Sequence, residues 1–347
     1  MKRIFAIVLC ICMTLAICAC NTTKEADYKL GMGVVVSTAS SKTGNAQVDA
    51  TVAAVVTDAE GKIVACRIDV AQNKMSITDG AVEANKTFET KMELGDRYGM
   101  AGKVDNNDDG VMLEWDEQVL AFEKYVVGMT AAEVEAIKTQ EAKGHLIAVD
   151  EELLKAGCSM QITDFIAAVV AACKDEQGVA FKTAETIKLG VAAKTVADES
   201  KAATAEENGL VAMYSDFAAS VVAADGKIIA SLNDAIQPKI TINAAGEIVE
   251  ASYKATKRNL KEDYNMAKFG ANMDPNGDGV VKEWYLQSEA FSAHVVGMTA
   301  AEVAAMETKA NSINYQMTTD ADLLAAGCTI QITAIKAVVA QSANNAR

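Results

Sequence analysis

Three features of this chain predict an α+β fold built from two tandem homologous modules, each an antiparallel sheet packed with helices. Each half reads as strands first and helices after. Each half also closes on nearly one phrase: Ala156-Gly157-Cys158-Ser159-Met160-Gln161-Ile162-Thr163 returns as Ala326-Gly327-Cys328-Thr329-Ile330-Gln331-Ile332-Thr333. Further echoes keep the same order, Lys29-Leu30-Gly31 with Lys188-Leu189-Gly190, Glu114-Trp115 with Glu283-Trp284, and Val126-Val127-Gly128-Met129-Thr130 with Val295-Val296-Gly297-Met298-Thr299. The offset between copies drifts only from 159 to 170 residues. The unit is therefore a domain rather than a solenoid repeat of about 20–50 residues. Module 1 spans 28–173 and module 2 spans 187–347, joined by a polar linker at 174–186.

In module 1, Val48–Val56 is an apolar strand that runs into Asp58-Ala59-Glu60-Gly61 and returns through Lys62–Ile68. Glycine supplies the positive φ that such a hairpin turn needs. Ala224-Asp225-Gly226 repeats the turn in module 2, and a further strand is expected at Lys74–Thr78 and at Lys239–Ile242. Between Glu114 and Val126, apolar Val119, Leu120, Phe122 and Val126 recur at helical spacing, matched by Leu286, Ala290, Phe291 and Val295. Thr130-Ala131-Ala132-Glu133 and Thr299-Ala300-Ala301-Glu302 are capping boxes for the next helix. The closing phrase leads into a last apolar helix, Ile166–Cys173 or Ile335–Val339. Trp115 and Trp284, with Tyr98, Tyr264, Met100 and Met266, mark the repeat and are expected to pack in the cores.

The chain opens with Met1-Lys2-Arg3 and an apolar run from Ile4 to Ala16, too short to span a bilayer. The run ends in Ile17-Cys18-Ala19-Cys20, which resembles the lipobox of bacterial lipoproteins. That resemblance implies a signal peptide at 1–19, a lipid on Cys20, a tether at 20–27, and residence on the outer face of a bacterial cytoplasmic membrane. Loss of Lys2 and Arg3 leaves 30 bases against 47 acids, a formal charge of −17. Such a surface repels nucleic acid and favours divalent cations.

Four of the eight cysteines lie in the leader and lipobox. Cys158 and Cys328 hold equivalent places and are expected to fill one small buried slot twice. Spacing leaves the pairings Cys66–Cys173 and Cys158–Cys173 both open. No Cys/His cluster points to zinc, and the two histidines, His145 and His294, are not equivalent.

Two constellations could carry chemistry. The closing phrase, Asp322 to Thr329 followed by Ala334-Ile335-Lys336-Ala337-Val338, resembles the end of the FMN-binding domain of redox-pump subunits and extracellular electron-transfer lipoproteins. Glycine lets a backbone approach a phosphate, and helix-start amides offer it donors. The resemblance implies FMN esterified to Thr329 beside Gly327, and more weakly to Ser159 beside Gly157, with a flavin transferase and a membrane redox partner. The chain departs from that pattern in having Ala326 for Ser or Thr, Cys328 for Ala, and Asp322 one residue too far upstream.

The second constellation is an oxygen-rich loop. Asp105, Asn107, Asp109 and Asp116, with Gly110 at the bend, fit the alternation of a calcium loop of EF-hand or dockerin type. Module 2 repeats it with Asp274, Asn276 and Asp278, but Tyr285 takes the last position and Glu283 has to substitute. Two functions stand side by side. One is an FMN-bearing extracellular electron carrier; the other is a non-catalytic, calcium-stabilised surface-binding lipoprotein whose flavin site has degenerated.

Overall fold

The computed structural model describes residues 25–266, 268, 281–311 and 314–347. The leader, Cys20, and the loop residues Asp274, Asn276 and Asp278 lie outside the described residues. The first half contributes strands β1 (Ala26–Ser37), β2 (Asn45–Asp58), β3 (Ile63–Ser76), β4 (Thr139–Ala142) and β5 (His145–Ala148). Its helices are α1 (Lys91–Leu94), α2 (Trp115–Tyr125), α3 (Ala131–Glu135), α4 (Glu151–Lys155) and α5 (Thr163–Cys173). Strand β6 (Val179–Thr183) follows, then β7 (Lys188–Val196), β8 (Gly209–Val211), β9 (Tyr214–Val222), β10 (Ile228–Ile236), β11 (Lys239–Ile242) and β12 (Ile248–Ser252). The chain ends with α6 (Lys257–Leu260), α7 (Trp284–His294), α8 (Ala300–Ala304), β13 (Thr308–Ala310), β14 (Gln316–Thr318), α9 (Ala321–Ala325) and α10 (Thr333–Asn344).

The protein is α+β. One antiparallel sheet has the order β3-β2-β1-β6 and a second the order β10-β9-β7, with β12-β11-β8 as a smaller third sheet. The residues choose these faces by simple alternation. Along β2, Val48, Ala50, Val52, Ala54 and Val56 point into one core while Ala53 and Val55 point into another. Leu189, Val191 and Ala193 of β7, and Phe217, Ala219 and Val221 of β9, join the first of these cores. The two sheets therefore pack face to face. The outer face of the first sheet lies beneath Phe122 of α2 and Phe165, Ala168 and Val169 of α5. The outer face of the second lies beneath Phe291 of α7 and Ile335, Val338 and Val339 of α10.

Local signals hold where they were read. The hairpin turns carry Gly61 at φ 77° and Gly226 at φ 87°. Thr130 with Glu133 and Thr299 with Glu302 form complete capping boxes on α3 and α8. Trp115 and Trp284 are 2% and 4% exposed, and Cys158 and Cys328 are fully buried. Cys66, Cys158, Cys173 and Cys328 are all free thiols.

The stretch at 174–186 is more than a linker. Val179–Thr183 forms β6 and pairs with Ala26–Leu30 of β1. Asp175 accepts from the Met32 amide at 3.1 Å and pairs with Arg258 of α6 at 3.3 Å, both side chains nearly buried. Nor is Lys74–Thr78 a new strand: β3 runs unbroken from Ile63 to Ser76. The halves also meet at their sheet edges, where Asn73 of β3 donates to Thr195 of β7 at 3.0 Å.

Close approach of sheet and helix depends on glycine. A Cβ on Gly33 would collide with the Ala168 carbonyl of α5, and one on Gly190 with the Ser342 carbonyl of α10. Overpacking of this kind costs about 1–3 kcal/mol. Gly33→Ala and Gly190→Ala are each expected to lower the unfolding free energy by about that amount in urea titrations. Gly61→Ala, where nothing lies within 4 Å of the added Cβ, is expected to lose only the cost of its positive φ, about 1 kcal/mol.

Candidate functional site

The closing phrases fold as buried turns. Gly157 and Gly327 take φ of 93° and 85°, ending α4 and α9 and starting the approach to α5 and α10. Ser159 and Thr329 are 2% and 3% exposed. A glutamine from the preceding long helix braces each turn. Gln118 Oε1 accepts from the Ser159 and Met160 amides, both at 3.0 Å, and its Nε2 donates to the Leu113 carbonyl at 3.0 Å. Gln287 Oε1 accepts from the Thr329 amide at 2.7 Å and from its hydroxyl at 3.2 Å. The Ser159 hydroxyl is buried with no hydrogen-bond partner among the described residues.

The oxygen-rich loop of the first half is strongly organised. Asp105 Oδ2 accepts from the Gly110 amide at 3.0 Å, Asp109 Oδ1 from the Val111 amide at 2.7 Å, and Asn107 Nδ2 donates to Asp109 Oδ2 at 2.8 Å. Gly110 (φ 79°) makes the sharp bend. Burial disfavours the ionised Asp105 carboxyl, but the amides of Gly110, Asp108 and Asp109 and the Lys143 ammonium outweigh it and hold its pKa low. Three side-chain oxygens of the expected set, Asp105 Oδ1, Asn107 Oδ1 and Asp116 Oδ1, are buried without a hydrogen-bond partner. No three His, Cys, Asp or Glu side chains converge on a metal position among the described residues. Calcium also takes amide and main-chain carbonyl oxygens of the kind Asn107 offers. Glu283 accepts from the Met266 amide at 2.8 Å, as Glu114 accepts from Met100 and Ala101 at 2.9 and 3.0 Å.

The structure adds a pair of clefts that motif reading did not find. One, of about 630 Å³, lies in the first half and is lined by Lys91, Tyr98, Met100, Trp115, Met160 and Gln161 among others. The other, of about 340 Å³, is lined at matching places by Lys257, Tyr264, Met266, Trp284, Ile330 and Gln331. In each, a lysine ammonium lies over two rings. Lys91 Nζ is 4.8 Å from the Tyr98 centroid and 5.6 Å from that of Trp115; Lys257 Nζ is 5.0 and 5.4 Å from Tyr264 and Trp284. The short helices bearing these lysines are fixed from beneath by a buried carboxylate. Asp69 accepts from the Met92 amide at 3.2 Å, and Asp234 from the Arg258 amide at 3.0 Å. Burial pushes the Asp69 carboxyl up to about 6, against hydrogen bonds from Thr90, Met92 and Val70.

Carboxylates stand on the walls of both clefts: Asp49 and Asp164 in the first, and Asp198, Glu199 and Asp216 in the second. Burial pushes the Asp216 carboxyl up to about 6, against the pull of Lys257. The signal available in sequence was slight: the pair Thr90-Lys91 recurs as Thr256-Lys257. No protein-family model matches the chain, and neither a curated protein nor a solved structure matches it.

Two outcomes follow. Gln118→Leu strands two buried amides and is expected to cost about 2–6 kcal/mol, at about 1–3 kcal/mol for each group, measured by chemical unfolding. Asp216 holds a proton in the fold that the unfolded chain, with its ordinary value of 3.8, releases earlier. Its contribution is therefore greatest below pH about 4 and is lost as pH rises to about 6. Asp216→Asn is expected to make the fall in unfolding free energy across that window shallower; an unchanged slope would show that Asp216 does not titrate there.

Proposed function

We propose that this chain is a non-catalytic binding protein, held through a lipid on Cys20 at the outer face of a bacterial cytoplasmic membrane, with its first module stiffened by calcium. The pair of equivalent clefts carries the reading. Each half keeps Lys, Tyr, Trp and Gln at matching places around a cavity large enough for a small ligand. The buried state of the Ser159 and Thr329 hydroxyls supports a binding role over a covalent cofactor. Calcium is supported by the three unpartnered oxygens of Asp105, Asn107 and Asp116. Buried polar atoms are nearly always satisfied, and a divalent ion supplies what these lack.

Thermal unfolding in calcium and in a chelator tests the calcium component. A site saturated about a hundredfold above its Kd adds about 2.7 kcal/mol. The wild type is expected to gain on that scale and Asp105→Ala with Asp116→Ala to gain nothing. Identical unfolding of the wild type in calcium and chelator would remove calcium from the proposal.

One observation favours the second reading, FMN for extracellular electron transfer. Met160-Gln161 and Ile330-Gln331, directly after Ser159 and Thr329, line the two clefts. In that case a transferase loads FMN on Thr329, or less readily on Ser159, and a membrane redox partner exchanges electrons with it. Co-expression with a flavin transferase decides between the readings. A yellow protein carrying the mass of FMN, colourless as Thr329→Ala, supports electron carriage; a colourless wild type of unmodified mass retires it.

A further inference from the structure

Each cleft holds a lysine ammonium at a matching place that no carboxylate among the described residues pairs with. Lys91 and Lys257 each rest on aromatic faces, and neither makes an ion pair or hydrogen bond to a carboxylate among the described residues. A cation over a ring at a partly exposed site is only a weak contact. A carboxylate entering the cleft can therefore outbid the rings for the ammonium, since hydrogen bonds between charged groups are the stronger kind. The lysines are not loose, because each sits at the first position of a helix whose N-cap threonine, Thr90 or Thr256, is itself buried.

Negative charge faces each ammonium without touching it. In the first cleft it comes from Asp164, which makes no ion pair among the described residues, and from Asp49, whose two oxygens accept from Gln47 Nε2 at 2.9 and 2.8 Å. In the second it comes from half-buried Asp216, on the neighbouring strand β9, with Asp198 and Glu199 on the same walls. The acid is supplied from different positions: Asp164 corresponds to Ala334, and Asp216 to Thr51. One ammonium sharing its cleft with more than one carboxylate nevertheless recurs in both. Neutral amides complete each cleft, with Gln72 and Gln161 in one and Gln237 and Gln331 in the other. A simple anion would meet repulsion from the acids, and a simple cation would leave the lysine without a counter-charge. A molecule carrying both charges satisfies each wall.

We infer that the two clefts bind zwitterionic ligands of the α-amino acid class, the ligand carboxylate on Lys91 or Lys257 and its ammonium on Asp164 with Asp49, or on Asp216. This rests on the binding-protein reading above and adds to it the chemistry of the ligand.

The chain provides its own reporters, because its two tryptophans fall one to each cleft. A ligand that draws the ammonium off the indole changes that ring's emission. The experiment titrates the full mature protein, co-expressed with a flavin transferase, with each standard L-amino acid up to about 10 mM. Tryptophan fluorescence and calorimetry are the readouts. For the best amino acid, the matched amine lacking the carboxylate and the matched acid lacking the ammonium are titrated in parallel; for leucine these are isopentylamine and 4-methylpentanoate. The expected result is a saturable response to at least one amino acid, with each single-charge analogue weaker by about tenfold or more. Lys91→Gln and Lys257→Gln are each expected to remove one class of site, with near-ultraviolet circular dichroism unchanged. Asp216→Asn serves as a second probe of the second cleft that leaves its lysine in place. No saturable response to any amino acid, or equal binding of 4-methylpentanoate, overturns the inference. The absorption spectrum of the same sample separates this from failure of the binding-protein reading, since a bound flavin is visible whatever the amino acids do.

Discussion

A sheet that is apolar on both faces must be covered twice, and this constraint organises the molecule. Most residues of β2 and β10 are buried whichever way they point. Long helices cover the outer face of each sheet, and the inner face of each sheet covers the other. The cost of leaving either face in water is on the scale of 25 cal/mol per Å² of apolar surface. The halves are therefore parts of one core, and the segment between them is drawn into it as β6 rather than left as a tether.

That packing also sets the clefts. Gly31 and Gly33 let α5 approach β1, and Gly190 does the same for α10 on β7. The start of each of these helices then forms one wall, with Gln161 and Phe165 in the first cleft and Gln331 and Ile335 in the second. The opposite wall is carried by α1 or α6, only four residues long. Such a helix has no stability of its own. It is held by its threonine cap and by Asp69 or Asp234, carboxylates that accept main-chain amides at the cost of burial.

What was legible in sequence was local. Hairpin turns, capping boxes and the amphipathic run before Val126 each depend on residues within a turn or two of one another, and each stands where it was read. The oxygen-rich loop at Asp105 was legible for the same reason. Val179–Thr183 was not, because Glu176, Lys182 and Glu185 around it read as a solvated stretch and its strand character comes from pairing with β1, about 150 residues away in sequence. The continuation of β3 was obscured by Asp69, Asn73 and Lys74, polar residues that break the apolar pattern, although Asp69 and Asn73 have partners across elements. The clefts were the least visible. Lys91 becomes notable only when α1 folds over β3 and sets its ammonium against rings 7 and 24 residues further along.

The shared core has a bearing on what half of this chain could do alone. Half of this chain alone would present an inner sheet face of valine, alanine and leucine with nothing to cover it. Joined in one chain, the two faces meet at an effective concentration of order millimolar, whatever the abundance of the protein. The join also frees the two halves from being identical. One cleft can hold its negative charge at Asp164 and the other at Asp216, a division of labour that a symmetric pair of identical chains could not encode.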